Sequence, residues 1–135
     1  MIVVDASAWA TALADPAELG ARSRAYLGED AQWTAPSHMP TEVLRTLRRM
    51  EQAGRLTTTE ATALVGDVLR REVRYIKPEP WLLESQWQLR HNLSAYDAAY
   101  VALGRRRGLP LITLDLRLAK AATALGVEVQ LVQRD

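Results

Sequence analysis

The sequence contains no cysteine. That excludes disulfides, thiolate zinc sites and a cysteine nucleophile. Histidine is scarce: His38 and His91 are the only two, and their separation matches no metal-ligand spacing. Neither is assigned a catalytic role, and both are expected at loop or surface positions. No segment approaches the roughly 18 uninterrupted apolar residues that a bilayer span requires. The opening Met1-Ile2-Val3-Val4-Asp5 has no basic lead-in and its apolar run is short, so it reads as a buried strand rather than a secretory leader. There is almost no excess of charge of either sign, the formal net charge being +1, and global electrostatics make no case for nucleic acid. A cytoplasmic protein with no membrane attachment is expected.

What is present fits one compact unit. The 135 residues, 48% of them apolar, suffice for a real core and match a single domain over residues 1–135. Short apolar runs at Ile2–Val4, Trp33–Ala35, Val73–Ile76, Leu111–Leu114 and Val127–Val132 read as strands. They do not alternate, which is the pattern of strands covered on both faces. Helical spacing marks Ala8–Leu13, Ala17–Leu27, Thr41–Ala53, Thr59–Arg71, Trp81–Leu89, Ala95–Arg106 and Leu116–Leu125. Gly54, Gly108-Leu109-Pro110 and Gly126 punctuate the helix ends. Alternation of strand and helix predicts an α/β fold around a parallel sheet.

Carboxylates fall at the junctions of this pattern. Asp5 follows the first strand directly, and Asp115 follows Leu111–Leu114. Glu42 and Asp97 fall in the first turns of their helices, where negative charge is favoured. Taken singly, Asp115 reads as a helix N-cap, and Ser94 with Asp97 reads as a capping box. Glu42 in a first turn needs no special role. Asp5 resists such an explanation, because an acid beside a buried strand is costly to desolvate without a partner. Open α/β sheets bind ligands at the carboxyl ends of their strands. Should the two strand ends be neighbours, the acids would repel one another until a cation intervened. An all-oxygen donor set suits Mg²⁺ or Mn²⁺, and such an ion serves phosphodiester hydrolysis.

Other residues carry two readings each. Ser7 and Thr113 are placed to support ligating carboxylates, or else to cap a helix and fill a strand. Arg45, Arg48 and Arg49 follow Glu42 on its helix; a solvated helix face is their ordinary reading, and part of this set is a candidate for contact with RNA phosphate. Tyr96 and Tyr100 share a helix face, where packing is the ordinary role. A haloacid-dehalogenase-like phosphatase also places Asp after its first strand, but Asp5-Ala6-Ser7 lacks the second Asp usual two residues on. A receiver-type phosphoacceptor would need an early acidic pair and a late strand-end Lys, and neither is present.

Four segments together resemble the successive motifs of PIN domains, and more narrowly those of VapC toxins. They are Ile2-Val3-Val4-Asp5-Ala6-Ser7-Ala8, Pro40-Thr41-Glu42-Val43-Leu44, Leu93-Ser94-Ala95-Tyr96-Asp97-Ala98-Ala99-Tyr100-Val101-Ala102-Leu103 and Leu111-Ile112-Thr113-Leu114-Asp115-Leu116-Arg117-Leu118-Ala119. The resemblance runs nearly the whole length. It implies a three-layer α/β/α sandwich with a central parallel sheet of about five strands. It implies a Mg²⁺- or Mn²⁺-dependent endoribonuclease acting on structured RNA such as tRNA or rRNA, a homodimer, and a cognate VapB-type antitoxin as partner. It maps the family's acids onto Asp5, Glu42, Asp97 and Asp115, with Asp5, Asp97 and Asp115 contributing most to the metal, and the D-x-S hydroxyl onto Ser7. One departure is visible: many relatives carry Asn where Glu42-Val43-Leu44-Arg45 places Arg45. A non-catalytic PIN-like module that binds RNA or protein is the alternative; loss of an acid would favour it, and none is lost.

Overall fold

The computed structural model describes residues 1–135. Five strands, β1 (Ile2–Val4), β2 (Trp33–Pro36), β3 (Arg74–Ile76), β4 (Leu111–Thr113) and β5 (Val129–Leu131), form one sheet in the order β3-β2-β1-β4-β5. Every pairing is parallel. The α/β expectation with about five parallel strands is met. All residues of β1, β2 and β4 are buried, whereas the edge strands β3 and β5 are only partly covered. The non-alternating apolar runs are thus those of strands sandwiched between helices.

Seven helices complete the chain: α1 (Ala6–Ala14), α2 (Glu18–Gly28), α3 (Met39–Gln52), α4 (Thr58–Arg70), α5 (Pro80–Gln88), α6 (Ala95–Arg107) and α7 (Leu116–Ala124). The chain runs outward from β1 to β2 and β3, then returns to β4 on the other side of β1 and continues to β5. Right-handed crossovers therefore send α1–α4 to one face and α5–α7 to the other. The packing agrees: α1 lies against α2 and α3, while α6 lies against α5, α7, β1, β2 and β4. Between β1 and β4 the direction of winding reverses, and a crevice opens beyond their carboxyl ends.

Local chemistry sets the element ends. Thr57 and Glu60 exchange the two bonds of a capping box at the start of α4. Gly108 ends α6 in the left-handed region at φ 63°, which a side chain would resist. Two boundaries differ from expectation in ways that bear on function. Helix α3 begins at Met39, two residues before Thr41, with Pro40 in its first turn. Strand β4 stops at Thr113 rather than Leu114, because the Leu114 N–H leaves the ladder and donates to the Ser7 hydroxyl at 3.0 Å.

Candidate active site

Asp5 occupies the N-cap position of α1, yet its side chain makes no capping bond. Instead Oδ2 accepts from the Ser7 hydroxyl at 2.5 Å and from the Thr113 hydroxyl at 2.7 Å. Each hydroxyl in turn accepts a backbone N–H, Ser7 from Leu114 at 3.0 Å and Thr113 from Asp115 at 3.0 Å. That polarity leaves each hydroxyl one proton, and both are aimed at the same carboxylate oxygen. Ser7 and Thr113 therefore stitch the end of β1 to the end of β4; neither the helix-cap reading of Ser7 nor the filler reading of Thr113 describes them. Asp5 Oδ1 takes no protein hydrogen bond.

Asp5 is only 6% exposed. Burial pushes its pKa up to about 6, with the hydroxyl bonds of Ser7 and Thr113 opposing and the charges of Glu42 and Asp97 adding to the rise. No Lys, Arg or His forms an ion pair with it.

Glu42 and Asp97 lie within reach of its charge, and Asp115 within reach of Asp97. Glu42, in the first turn of α3, is half-buried; burial raises its pKa, the Tyr100 hydroxyl bond opposes, and the Asp97 charge adds to the rise. Asp97 stands in the first turn of α6, where its N–H donates to the Ser94 hydroxyl at 3.1 Å. Burial raises this carboxyl too, followed by the charge of Asp115. The reciprocal bond of a full capping box is not formed at Ser94, so the cap reading of Asp97 is only half met. Asp115 is exposed and caps α7, its Oδ1 accepting from the Leu118 N–H at 3.2 Å. The cap reading of Asp115 is therefore correct, and the residue still belongs to the same electrostatic neighbourhood as Asp97.

This neighbourhood is open. No three of the chain's His, Asp and Glu side chains are grouped as a set able to hold a metal ion on their own. The donor set nevertheless fits a hard divalent ion: all donors are oxygens, one carboxylate is buried without a cation, and two further acids are near enough to raise its pKa. Mg²⁺ commonly binds through one or two carboxylates and completes its shell with water and substrate phosphate, so a closed cage is not required. None of the four acids lines the depression walled by Trp33, Arg71 and Tyr75 or the one walled by Leu13, Arg55 and Leu64.

Two residues beside the acids were not legible in the sequence. His38 does lie in a turn, at the N-cap position of α3, but it is half-buried beside the site rather than on the surface. Its ring lies edge-on to Tyr96 and Tyr100, with centroids 5.0 and 5.5 Å away, and its Nε2 stands 3.4 Å from Glu42 Oε1 without a hydrogen bond. The early start of α3 is the reason, since it puts residues 38 and 42 one turn apart. Burial holds His38 below the usual imidazole pKa. Tyr100, fully buried, donates its hydroxyl to Glu42 Oε1 at 2.7 Å. His91 is exposed, as expected. Arg45, Arg48 and Arg49 are all exposed and make no ion pair. At about 100° per residue, Arg45 and Arg49 lie within roughly 60° of Glu42 around α3 and Arg48 lies well away.

The PIN domain profile matches residues 2–124. The chain belongs to the PIN-domain family. Within it, the chain is 39% identical over 132 residues to ribonuclease VapC1 of Mycobacterium tuberculosis, covering 97% of each chain. This PIN domain thus stands among the VapC ribonucleases, a toxin family. Solved structures share the fold. A Mycobacterium tuberculosis VapC20 structure, described as a sarcin-ricin loop cleaving toxin, superposes with a TM-score of 0.69 at 23% identity, over 90% of this chain and 95% of that one. FitAcB from Neisseria gonorrhoeae gives 0.67 at 15% identity over 96% of both chains. No helix of this PIN domain is long and apolar enough to cross a membrane.

Proposed function

We propose that the chain is a metal-dependent endoribonuclease that hydrolyses phosphodiester bonds in structured RNA, tRNA or rRNA, and that it acts as a single domain. The observation that carries this reading is Asp5: a buried carboxylate with no cation beside it, one oxygen held by two hydroxyls and the other left open. Asp5, Asp97 and Asp115 would hold Mg²⁺ or Mn²⁺. Such an ion, when bound, acidifies water and offsets charge that develops on a phosphate. Ser7 and Thr113 hold Asp5 by Oδ2 and leave Oδ1 free of protein hydrogen bonds. Glu42, half-buried and with a raised pKa, is suited to accept a proton from the attacking water. The water oxygen forms a bond to phosphorus, the P–O bond to one fragment breaks, and the departing oxygen takes up a proton.

Several features support an RNA polymer over a small ligand. Asp115 is exposed and Glu42 and Asp97 are only half-buried, whereas small-molecule sites are enclosed. Arg45 and Arg49 flank Glu42 with no protein counterion, which suits phosphate contact. The VapC20 neighbour is described as a sarcin-ricin loop cleaving toxin. We further propose a cytoplasmic homodimer restrained by a VapB-type antitoxin. Leu44 on α3 and Leu69 on α4, 40% and 80% exposed, support an apolar contact of that kind.

The test is cleavage of total RNA by the wild type beside Asp97→Asn, with Mg²⁺ or Mn²⁺ and with chelator. Metal-dependent cleavage by the wild type and its loss in the folded variant are expected. Equal cleavage by both, or none by either, overturns the reading.

A further inference from the structure

We propose that Tyr100 is a positioning residue for the reaction: through its hydroxyl it holds the carboxylate of Glu42 in place beside Asp5 and Asp97. This rests on the ribonuclease reading and extends it to a residue outside the acidic set.

Tyr100 is the largest of the fully buried side chains. It lies within α6, one turn beyond Asp97, among buried neighbours from Ala98 to Gly104. Packing alone would be served by phenylalanine. The hydroxyl, however, beside the backbone of Ala6, donates to Glu42 Oε1 at 2.7 Å, bridging α6 to the first turn of α3 across 58 residues of sequence. A hydroxyl-to-carboxylate bond of this length is of the strong, charge-assisted kind. Burial raises the Tyr100 pKa far above the phenolic range, and the negative charges of Asp5 and Glu42 raise it further. The hydroxyl therefore remains protonated and donates toward Glu42.

The surroundings make this bond the principal restraint on Glu42. Its side chain is about one-third exposed and makes no other hydrogen bond. Its one further polar neighbour is His38 Nε2, 3.4 Å from the same Oε1 in poor bonding geometry. Burial disfavours the charged form of His38, so it offers no firm ion pair. Without the Tyr100 hydroxyl, repulsion from Asp97 would favour rotation of Glu42 outward to solvent. Tyr100 thereby secures the oxygen Oε1 while Oε2 is left for water or substrate.

The experiment is a double-mutant cycle of Tyr100→Phe and Glu42→Ala. It reads single-turnover RNA cleavage with saturating Mn²⁺, KM, and the urea midpoint of the metal-free proteins. Tyr100→Phe is expected to cut the cleavage rate about 10-fold with KM within about twofold, a size typical for a misplaced catalytic group. In the Glu42→Ala background the same change is expected to cost no further rate and to leave the urea midpoint unmoved, whereas it lowers the midpoint in the wild-type background. A wild-type rate in Tyr100→Phe overturns the proposal, as do rate losses that multiply in the double variant. If the wild type itself cleaves no RNA, the ribonuclease reading is what fails. The stability cycle would then still show whether hydroxyl and carboxylate are coupled.

Discussion

Replacing Asp5 by asparagine is expected to stabilise the fold and abolish the activity together. The folded carboxyl titrates at about 6 against 3.8 when solvated. A raised folded value means that the native state binds the proton more tightly. The associated stability is fully present below pH 3.8 and is lost as pH rises through about 6. Near pH 7 the ionised group thus costs the fold about 3 kcal/mol, and near pH 5 roughly half of that. Asparagine removes the charge and keeps the geometry. Its carbonyl can stand where Oδ2 accepts from Ser7 and Thr113, and its NH₂ then faces the negative charges of Glu42 and Asp97. In chelator near pH 7, Asp5→Asn should melt about 10 °C above the wild type. The difference should shrink by about half near pH 5. Excess Mg²⁺ or Mn²⁺ should raise the wild type, by about 2.7 kcal/mol at 100 times Kd, and leave the variant unmoved. Thermal melts across pH, with and without metal, measure all of this. A variant that melts at or below the wild type in chelator would show that Asp5 is not held ionised against its surroundings, and the reasoning would fail.

Three other sets of substitutions separate roles that share a residue or a helix. Asp115→Ala should lose about 1 kcal/mol by removing the cap on Leu118, while Asp115→Asn keeps the cap; calorimetry should find Mn²⁺ binding weakened in both, and equal stability losses would discount the cap. Neutralising Arg45 and Arg49 should weaken RNA binding and flatten the dependence of log K on log salt by about 1–2, with little effect from Arg48→Gln; filter binding over a salt series decides. Gly20→Ala should destabilise by about 2 kcal/mol in urea despite the better helix propensity of alanine, because its Cβ would stand 1.7 Å from the Asp15 carbonyl oxygen. Gly28→Ala, with nothing within 4 Å, should be neutral or mildly stabilising.

The parts of this molecule legible from sequence are those written in local patterns. Apolar runs marked the five strands and 3.6-residue spacing marked the seven helices, within two residues at every end. Asp5 stood out because an acid that ends a buried run has no cheap local explanation. Ser7 and Thr113 could be named but not decided. Whether a hydroxyl caps its own helix or reaches a carboxylate depends on which strand lies alongside, and β1 meets β4 across more than a hundred residues of chain. His38 and Tyr100 escaped for a related reason. The start of α3 at Met39 has no strong N-cap residue to announce it, since His38 occupies the cap position without a side-chain bond. A buried tyrosine in an apolar helix face looks the same in sequence whether or not its hydroxyl finds a partner.

The order of the strands does the remaining work. Each acid has its own ordinary explanation or its own cost: Asp115 caps a helix, Asp97 half-completes a cap, Glu42 sits in a first turn, Asp5 is buried. Had β4 joined the far edge beyond β3, Asp115 and Thr113 would end several strands away from Asp5, at about 4.8 Å per strand. Asp5 would then lose one of its two hydroxyl donors, and Asp115 would keep only its cap. The central placement of β1, flanked by β2 and β4, also sends α3 and α6 to opposite faces of the sheet, and both begin at its carboxyl edge. Glu42 and Asp97 consequently reach the crevice from opposite sides, and the Tyr100–Glu42 bond closes the gap between the two layers. The same reversal of winding that builds the crevice therefore supplies both its charge and the restraint on that charge.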